Sequence, residues 1–288
     1  MRAKGTFYFT VGLGVLALNK ARYALGGYRR PRSFSTSDLD RCLAYDAEVI
    51  TGWERFLTNY TGDRQPLAGR TILELGPGAD IGVGAMLLDR GASSYWALDK
   101  HDLMRQMPAD FCIELLKRLE SDEARRALEA FVRREPGRLN YVVDPAFDLE
   151  RLAAVDIDLV VSQAAFEHFD FARETIEQLS RIVRSGGVLC AEIDLQTHSR
   201  WIRERDPNNI YRFPGWLYQR LHYAGIPNRV RPEQYRDALI EHGWKDVTII
   251  PRQQVRDPDC AHTLYDLAEP FAASDMRTLT CVVLATRG

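Results

Sequence analysis

Short, almost wholly apolar runs alternate with longer segments of helical period through most of the chain. Five of these runs lie at Thr71–Leu75, Ser94–Leu98, Leu139–Val143, Ile157–Ser162 and Gly187–Ile193. Runs without polar alternation are typical of strands that are buried on both faces. Their alternation with helical segments predicts an α/β fold, a doubly wound parallel sheet with helices on both faces.

Two later apolar runs extend this sheet. They lie at Asp246–Pro251 and Leu279–Thr286, and no clearly helical segment separates them. Strands joined without a helical crossover pair antiparallel. We therefore expect a seven-stranded, mostly parallel sheet that ends in an antiparallel C-terminal strand pair.

The helical segments predict two additions to this plan. Helices are expected at Gly84–Arg90, Ala109–Arg134, Phe171–Val183 and Glu233–His242. The second is longer than a simple crossover requires, so residues 109–138 are interpreted as a helical insertion that covers the site or contacts a partner. Residues 195–231 are rich in Arg, Trp, Tyr and Pro with little periodicity, and they are interpreted as a lid. We expect residues 1–65 to form a basic, partly apolar helical N-terminal segment and residues 66–288 to form the main domain.

The N-terminal segment carries an apolar run, Phe7–Leu18, among seven basic residues and no acidic residue before Asp38. The run is shorter than the roughly 20 residues that cross a bilayer, and a signal-peptide cleavage site after it is poor. The favoured interpretation is a helix packed on the protein's own body. The alternative is a basic segment, residues 1–32, that lies on the inner face of an anionic membrane.

Composition and charge narrow the class of partner. The chain is 45% hydrophobic and 27% charged with a net charge of -2, so it is globular and has no overall basic field for nucleic acid. Its five cysteines are scattered without a C-x-x-C pair, so no disulfide framework is expected; Cys190 and Cys281 lie inside apolar runs and are interpreted as small buried side chains, in agreement with a reducing cytoplasm. The six histidines show no ligand-like spacing, so no metal is expected.

A glycine turn follows the first predicted strand, in the sequence ILELGPGADIG. Gly76 and Gly78 would let a ligand approach the backbone beside a helix N-terminus. The dinucleotide pattern G-x-G-x-x-G fails because Ile81 occupies its last position, and the P-loop ending is absent. Asp99 ends the second strand at the same sheet edge, where a carboxylate suits a ribose diol or caps the next helix.

Taken together, the segments ELGPG, ALDK, DLVVSQAAFEHF and SGGVLCAEIDL resemble the class I S-adenosylmethionine-dependent methyltransferases over Thr71 to Arg287. In that family the sheet also ends in an antiparallel strand pair. Many relatives carry a further glycine where this chain has Asp80. The resemblance implies S-adenosylmethionine as cofactor and a binding site formed by Glu74, Gly76, Pro77, Gly78, Asp99, Lys100, Asp144, Ser162 and Gln163. Of these, Asp144 has an alternative interpretation as a turn residue before Pro145.

The acceptor side of the site is predicted from the ends of the fourth and fifth strands. The segment FEHF places Glu167 and His168 beyond the fourth strand, and Asp194 ends the fifth strand with His198 four residues later. A histidine titrates in a range useful for proton transfer, so His168, His198 and Asp194 are the candidate catalytic residues. A packed or capping histidine is the alternative.

The segment GIPNRVRPEQYRDALIEHGW resembles one found in methyltransferases of cell-surface polysaccharide clusters. Paired arginines suit an acceptor carboxylate or phosphate, or they tie the lid to the body. The candidate acceptor contacts are Tyr211, Asn228, Arg229 and Arg231. We expect methyl transfer to an oxygen of a sugar, glycan or other small hydroxylated metabolite. The alternatives are N-methylation of an amine, a nicotinamide-dependent oxidoreductase and a catalytically silent binding protein; the oligomeric state is left open.

Overall fold

The computed structural model describes residues 3–27, 38–256 and 258–288. The strands are β1 (Thr71–Leu75), β2 (Ser94–Asp99), β3 (Leu139–Val143), β4 (Ile157–Gln163), β5 (Val183–Asp194), β6 (Trp244–Gln254) and β7 (Thr278–Arg287). The α-helices are α1 (Ala3–Gly26), α2 (Leu39–Thr61), α3 (Gly82–Asp89), α4 (Ala109–Arg118), α5 (Asp122–Val132), α6 (Ala172–Ile182), α7 (Arg200–Arg203), α8 (Gly215–Arg220) and α9 (Pro232–Glu241).

All seven strands form one sheet in the order β3-β2-β1-β4-β5-β7-β6. The first five run parallel, whereas β7 pairs antiparallel with both β5 and β6. The predicted fold class is therefore confirmed, including its antiparallel C-terminal pair. A doubly wound dinucleotide fold has a sixth parallel strand beside β5, so the antiparallel β7 disfavours the oxidoreductase alternative.

Alternate residues of the strands face two separate cores. Ile72 of β1 and Tyr95 of β2 pack in the core that contains buried residues of α2, α3, α4 and α5. Leu73 of β1 and Val160 of β4 pack on the opposite face with α6 and α9. Because successive strand side chains point to opposite faces, apolar runs without alternation produced a sheet covered on both sides.

The expected single helix over Ala109–Arg134 is wrong, because the chain forms two helices there. Residues Leu119 and Ser121 are extended, and the Ser121 side chain accepts hydrogen bonds from the backbone N–H groups of Glu123 and Ala124. A serine followed by acidic residues is a typical helix start. The two helices pack against α2, α3 and β3 and form part of the helix layer on one face of the sheet.

Helix α1 packs on the lid, in agreement with a helix packed on the protein's own body. Its apolar side chains, Leu16 among them, join a third apolar cluster with Ile210 and Phe213 of the lid. The approach is close at Gly12, where an added Cβ would lie 2.0 Å from Asn209 Oδ1. Among the described residues, no helix is both long and apolar enough to cross a membrane.

The lipid-contact alternative for residues 1–32 stays a prediction. Four of the basic residues on which it depends lie outside the described residues: Arg2, Arg29, Arg30 and Arg32. Of the remaining three, Lys20 donates from Nζ to the backbone oxygen of Arg220 in the lid, at 2.6 Å. The Lys20 ammonium therefore contacts another segment of the same protein.

Candidate active site

The carboxyl ends of β1, β2, β3 and β4 surround a cavity of about 430 Å³. Its wall includes Gly76 and Gly78 after β1, Asp99 and Lys100 at the end of β2, and His168 after β4. Strand order reverses beside β1, and ligands of doubly wound sheets bind at this switch point. The volume is in the range of cavities that hold one drug-sized ligand.

The glycine turn after β1 has the backbone conformation that its sequence predicts. Gly76 has φ 70° and Gly78 has φ 85°, a region in which side chains are strained. At Gly76 an added Cβ would lie 2.6 Å from the Cβ of Ala165 in the loop after β4. The turn therefore brings bare backbone to the cavity and also allows the β1 and β4 loops to touch.

Asp80 occupies the position where many methyltransferases carry another glycine, and its place in the loop explains the difference. The carboxylate oxygen Oδ1 accepts a hydrogen bond of 3.1 Å from the backbone N–H of Gly82, the first residue of α3. Asp80 is 4% exposed. It thus satisfies a free donor at the helix N-terminus, which a glycine could not do.

Asp99 is the carboxylate that faces the cavity beside the glycine turn. Burial raises its pKa to about 6, although backbone N–H groups of His101, Gly78 and Lys100 hydrogen-bond to it and oppose the shift. The His101 N–H donates to Oδ1 over 2.8 Å. A carboxylate fixed in this way is ionised at neutral pH and can still accept hydrogen bonds from a ligand diol.

Lys100 lines the cavity next to Asp99, and its Nζ lies 2.9 Å from Oδ2 of Asp170. Asp144 directly follows β3 and is not among the described residues that line the cavity. Its carboxylate accepts hydrogen bonds from Arg151 Nη1 at 2.9 Å and from the Ala146 N–H at 2.7 Å, and these bonds lower its pKa. The three residues that follow it line the cavity: Pro145, Ala146 and Phe147.

Glu74, Pro77, Ser162 and Gln163 are absent from the cavity wall formed by the described residues. Glu74 accepts a hydrogen bond of 2.5 Å from the Tyr95 hydroxyl, and Ser162 Oγ donates to the backbone oxygen of Leu75 at 3.0 Å. These contacts join neighbouring strands directly under the glycine turn. Their direct contact with a cofactor stays a prediction, and in the structure they support the loops that form the site.

The three candidate catalytic residues lie together with Glu167 at one end of the cavity. Rings of His168 and His198 meet edge to face with their centroids 4.8 Å apart. Of the four, only His168 lines the cavity among the described residues. The loops after β4 and β5 bring these side chains together because the two strands are neighbours in the sheet.

Burial changes the protonation of this cluster. It lowers the pKa of His168 to about 3, with the charge of His198 as the next cause, and it lowers the pKa of His198 to about 4. Burial raises the pKa of Glu167 well above its usual range. The sequence suggested a histidine that titrates near neutrality, but both imidazoles are neutral throughout that range.

Asp194 has its own partners within the cluster. Its Oδ2 lies 2.5 Å from Arg203 Nη1, and its Oδ1 accepts from the backbone N–H of Gln196 at 3.1 Å. The distance from Oδ2 to His198 Nε2 is 3.7 Å, which exceeds an ordinary hydrogen bond. Arg203 is therefore the principal partner of the Asp194 carboxylate, and His198 lies just beyond hydrogen-bond distance of it.

The four predicted acceptor contacts are tied to the protein itself. Arg231 is 0% exposed and donates to the Tyr211 hydroxyl at 3.2 Å and to the backbone oxygens of Thr278, at 2.8 Å, and Asp275. Arg229 donates to the Phe213 oxygen at 2.7 Å and lies 4.0 Å from the centroid of the Tyr218 ring.

Asn228 donates from Nδ2 to the oxygens of Phe166 and Phe169, at 2.8 Å and 3.0 Å. Within the described ranges, none of the four residues lines the cavity. The alternative interpretation, in which such residues tie the lid to the body, matches these contacts. A direct contact with an acceptor stays a prediction.

Several residues that the sequence analysis did not select form much of the cavity wall. They include Phe147, Phe169, Asp170, Phe171, Glu174, Ala224 and Gly225. Three of them belong to the segment FEHFDF directly after β4, where aromatic residues at the end of a strand are a usable signal. Ala224 and Gly225 come from the predicted lid. No described residue of α4 or α5 lines the cavity, so the expectation that residues 109–138 cover this site is not met.

Comparison with known proteins agrees with this site. A family model described as a methyltransferase domain matches residues 73–191, which include the glycine turn, Asp99 and His168. The comparison with curated proteins gave no match.

Solved structures with a similar fold include the CurJ carbon methyltransferase, with 17% identity over 95% of this chain and 67% of that one and a TM-score of 0.48. An S-adenosylmethionine-dependent methyltransferase from Archaeoglobus fulgidus has 14% identity over 84% and 94% of the two chains and a TM-score of 0.46. One described as putative, from Listeria monocytogenes, has 15% identity over 83% and 99% and a TM-score of 0.45.

The functional assignment comes from the matched domain. The matched residues run from β1 into β5 and include the loops after β1, β2, β3 and β4 that surround the cavity. Residues 73–191 are therefore a methyltransferase domain, and the protein is a methyltransferase whose methyl donor is S-adenosylmethionine.

Proposed function

We propose that this methyltransferase acts on an oxygen of a sugar, glycan or other small hydroxylated metabolite. The observation that carries the proposal is His168, a neutral imidazole that lines the cavity and packs against His198. A hydroxyl must lose its proton when it takes a methyl group, and that proton becomes strongly acidic as the new oxygen–carbon bond forms, so that even an imidazole whose pKa burial lowers to about 3 can receive it. An enzyme for hydroxyl acceptors therefore gains from such groups beside the cofactor.

The residues of the opposite wall fit the cofactor. The bare backbone at Gly76 and Gly78 would accommodate its amino-acid end, and Asp99 would accept hydrogen bonds from its ribose hydroxyls. When bound, S-adenosylmethionine supplies an already activated methyl group, so the protein mainly aligns the acceptor with it. Ala224 and Gly225, from the segment interpreted as a lid, line the cavity, where they would limit access of water.

An amine acceptor is the second candidate, and the acidic residues of the cavity wall favour it. Asp170 and Glu174 both line the cavity, and a carboxylate there would attract a cationic amine. However, Asp170 is already paired with Lys100, at 2.9 Å, and lies 3.2 Å from His222 Nε2. The negative charge available to an amine is therefore reduced, and the oxygen acceptor is favoured.

Methyl-labelled S-adenosylmethionine, incubated with the protein and fractionated extracts, tests the proposal. The labelled product is then isolated, and mass spectrometry and NMR show whether the new methyl group is bonded to oxygen or nitrogen. We expect an O-methyl ether or ester on a small hydroxylated compound or glycan. A labelled amine would overturn the oxygen assignment while leaving the methyltransferase assignment in place.

The variant His198→Ala tests the role of the cluster in the same assay. We expect turnover to fall much more than affinity for S-adenosylhomocysteine, because His198 is not among the described residues that line the cavity together with the glycine turn and Asp99. Equal losses of turnover and cofactor affinity would show that His198 has only a structural role.

A further inference from the structure

Three side chains with ligand atoms converge from two loops at the end of the cavity. Glu167 and His168 lie in the 3-10 turn Phe166–His168 after β4, and His198 lies in the loop after β5. One carboxylate oxygen and one nitrogen from each ring all lie within 4.8 Å of one another. His168 connects this group to the cavity, since it also belongs to the cavity wall.

The polar atoms of this group are poorly satisfied within the protein. Both carboxylate oxygens of Glu167, Nδ1 of His168 and Nε2 of His198 are buried and form no hydrogen bond of normal geometry among the residues that the structure describes. Backbone N–H groups of Glu167 and Asp194 approach the Glu167 carboxylate, and Asp194 Oδ2 lies 3.7 Å from His198 Nε2. Glu167 is only 2% exposed. Burial of a polar group without a partner is costly, so four such atoms in one place favour a ligand that would satisfy them.

We propose that Glu167, His168 and His198 bind a divalent cation at the wall of the cavity and leave coordination positions open for acceptor hydroxyl oxygens. Two imidazole nitrogens and one carboxylate are a donor set that suits Zn²⁺, Mn²⁺, Co²⁺ and Fe²⁺. Three protein ligands leave room for oxygen ligands from outside the protein. Cation binding is an independent claim, whereas the use of the open positions rests on the oxygen acceptor proposed above.

The surroundings allow the three side chains to close on an ion. Ligands at about 2.1 Å from a metal are at most ~4.2 Å apart, so the 4.8 Å spread requires a side-chain movement on the order of 1 Å. Backbone groups of Gly225 and Ile226 hydrogen-bond to the His168 ring while Nδ1 stays open. A contact of this kind orients a metal-binding histidine.

Charged neighbours also favour a cation. Glu167 and Asp194 bring two carboxylates to this end of the cavity, and Arg203 is the positive group near them. The 2.5 Å contact between Arg203 Nη1 and Asp194 Oδ2 directs the guanidinium charge to that carboxylate. The Glu167 carboxylate, when ionised, is then the group whose charge a cation would neutralise.

A cation in this position would assist the methyl transfer in a defined way. With the cation bound, the three side chains would act as its ligands instead of receiving the proton themselves; the cation would polarise the acceptor hydroxyl and ease loss of its proton to water. The oxygen then forms a bond with the methyl carbon as the carbon–sulfur bond of the sulfonium breaks, and S-adenosylhomocysteine is released. No electron is gained or lost, so a cation without redox chemistry is sufficient.

Metal binding by the full chain tests the proposal directly. Protein dialysed against a chelator is titrated with Mn²⁺ by calorimetry, and Co²⁺ is added in parallel to record the visible spectrum that histidine coordination produces. In each of the two separate titrations, with Mn²⁺ or with Co²⁺, we expect one ion to bind per chain. In Glu167→Gln and His198→Ala the affinity should fall at least about tenfold. His242→Gln is the matched control, since His242 follows α9 outside the cluster, and its affinity should be unchanged.

Affinity for S-adenosylhomocysteine and the thermal midpoint show whether each variant is folded. No stoichiometric binding of Mn²⁺ or Co²⁺ by the wild type would overturn the proposal. Unchanged affinity in folded Glu167→Gln and His198→Ala would overturn it as well. Binding at this cluster together with an N-methylated product would support the cation site and contradict only the oxygen acceptor.

Discussion

At Asp99, burial of an ionised carboxylate destabilises the free protein, whereas the same ionised carboxylate is the form expected to bind the cofactor. Its carboxylate is 7% exposed, and burial raises its pKa from 3.8 to about 6. The folded protein thus holds the proton of Asp99 more tightly than the unfolded chain does. Ionisation at neutral pH opposes folding, although the charged form is the one that a ribose diol needs.

Asp99→Asn is therefore expected to stabilise the free protein at pH 7. The raised pKa contributes stability that is fully present below pH 4 and is lost as the pH rises through 6. A shift of this size corresponds to a difference on the order of 3 kcal/mol, which the neutral amide would recover. Urea unfolding at several pH values measures it: the variant and wild type should agree near pH 4 and separate by pH 7. A constant difference over this range would contradict the expectation.

Cofactor binding should respond in the opposite direction. Asp99→Ala is expected to weaken binding of S-adenosylhomocysteine by about 1–3 kcal/mol, because a hydrogen-bonded carboxylate is lost. In the wild type the affinity should fall as the pH is lowered from 7 to 5, since the carboxylate takes up a proton near pH 6. Calorimetry over this range measures both effects. If the alanine variant bound equally well, Asp99 would have no part in the cofactor site.

Single residues were predictable where the local sequence alone decides their role. Gly76 and Gly78 lie in the turn after β1 and Asp99 ends β2, and the cavity wall contains all three. The group of Glu167, His168 and His198 has no such signature, because its members come from loops about 30 residues apart that only the pairing of β4 with β5 brings together. Arg231 shows the other limit: its charge suggested an acceptor contact, but its complete burial depends on tertiary packing.

At the scale of elements, the turn after β4 is held in place by the lid. The backbone N–H of Asn228 donates to the backbone oxygen of Glu167 at 2.6 Å. Its side-chain amide donates to the backbone oxygens of Phe166 and Phe169. These bonds surround the short turn that carries Glu167 and His168. Asn228 is thus a positioning residue for that turn rather than part of the cavity wall.

Asn228→Ala is expected to lower kcat while KM for the acceptor and affinity for S-adenosylhomocysteine change little. The side-chain bonds to two backbone oxygens are lost, so the turn loosens and His168 is misplaced, at a cost of roughly 1–3 kcal/mol. Steady-state kinetics with the identified acceptor separates the two parameters. A raised KM with unchanged kcat would instead support Asn228 as the acceptor contact that the sequence suggested.

Elements were predictable in proportion to the strength of their pattern. The runs at Thr71–Leu75 and Leu139–Val143 match β1 and β3 in both bounds, because buried parallel strands are continuous in hydrophobicity. The residues of Ala109–Arg134 have a continuous helical pattern of apolar positions, although the chain forms two helices, α4 and α5, in this interval. Only Ser121, the N-cap of α5, marks the boundary between them in the sequence. A periodic pattern reports a shared buried face and does not require that the helix be continuous.

For the whole molecule, the sheet with its two cores forms the body, and α1 with the lid forms a third apolar cluster outside it. The sequence predicted the body because its pattern repeats, whereas the α1–lid contact joins segments about 200 residues apart. Close contact at Gly12 and the bond from Asn209 Nδ2 to the Tyr8 oxygen, at 2.9 Å, define this interface.

Two glycines in α1 provide a matched test of this arrangement. At Gly12 an added Cβ would lie 2.0 Å from Asn209 Oδ1, whereas at Gly14 no heavy atom of the described neighbours lies within 4 Å. Replacement of either glycine by alanine favours the helix itself by about 1 kcal/mol. Gly14→Ala should therefore strengthen α1, while Gly12→Ala should push it away from the lid, at a cost of about 1–3 kcal/mol.

Limited proteolysis of α1 and thermal unfolding distinguish the two variants. We expect slower cleavage within α1 for Gly14→Ala and faster cleavage, with a lower thermal midpoint, for Gly12→Ala. Affinity for S-adenosylhomocysteine should stay constant in both, because α1 contributes no described residue to the cavity wall. If both variants were protected equally, α1 would not rest on the lid in solution, and its apolar face would be available for another surface such as an anionic membrane.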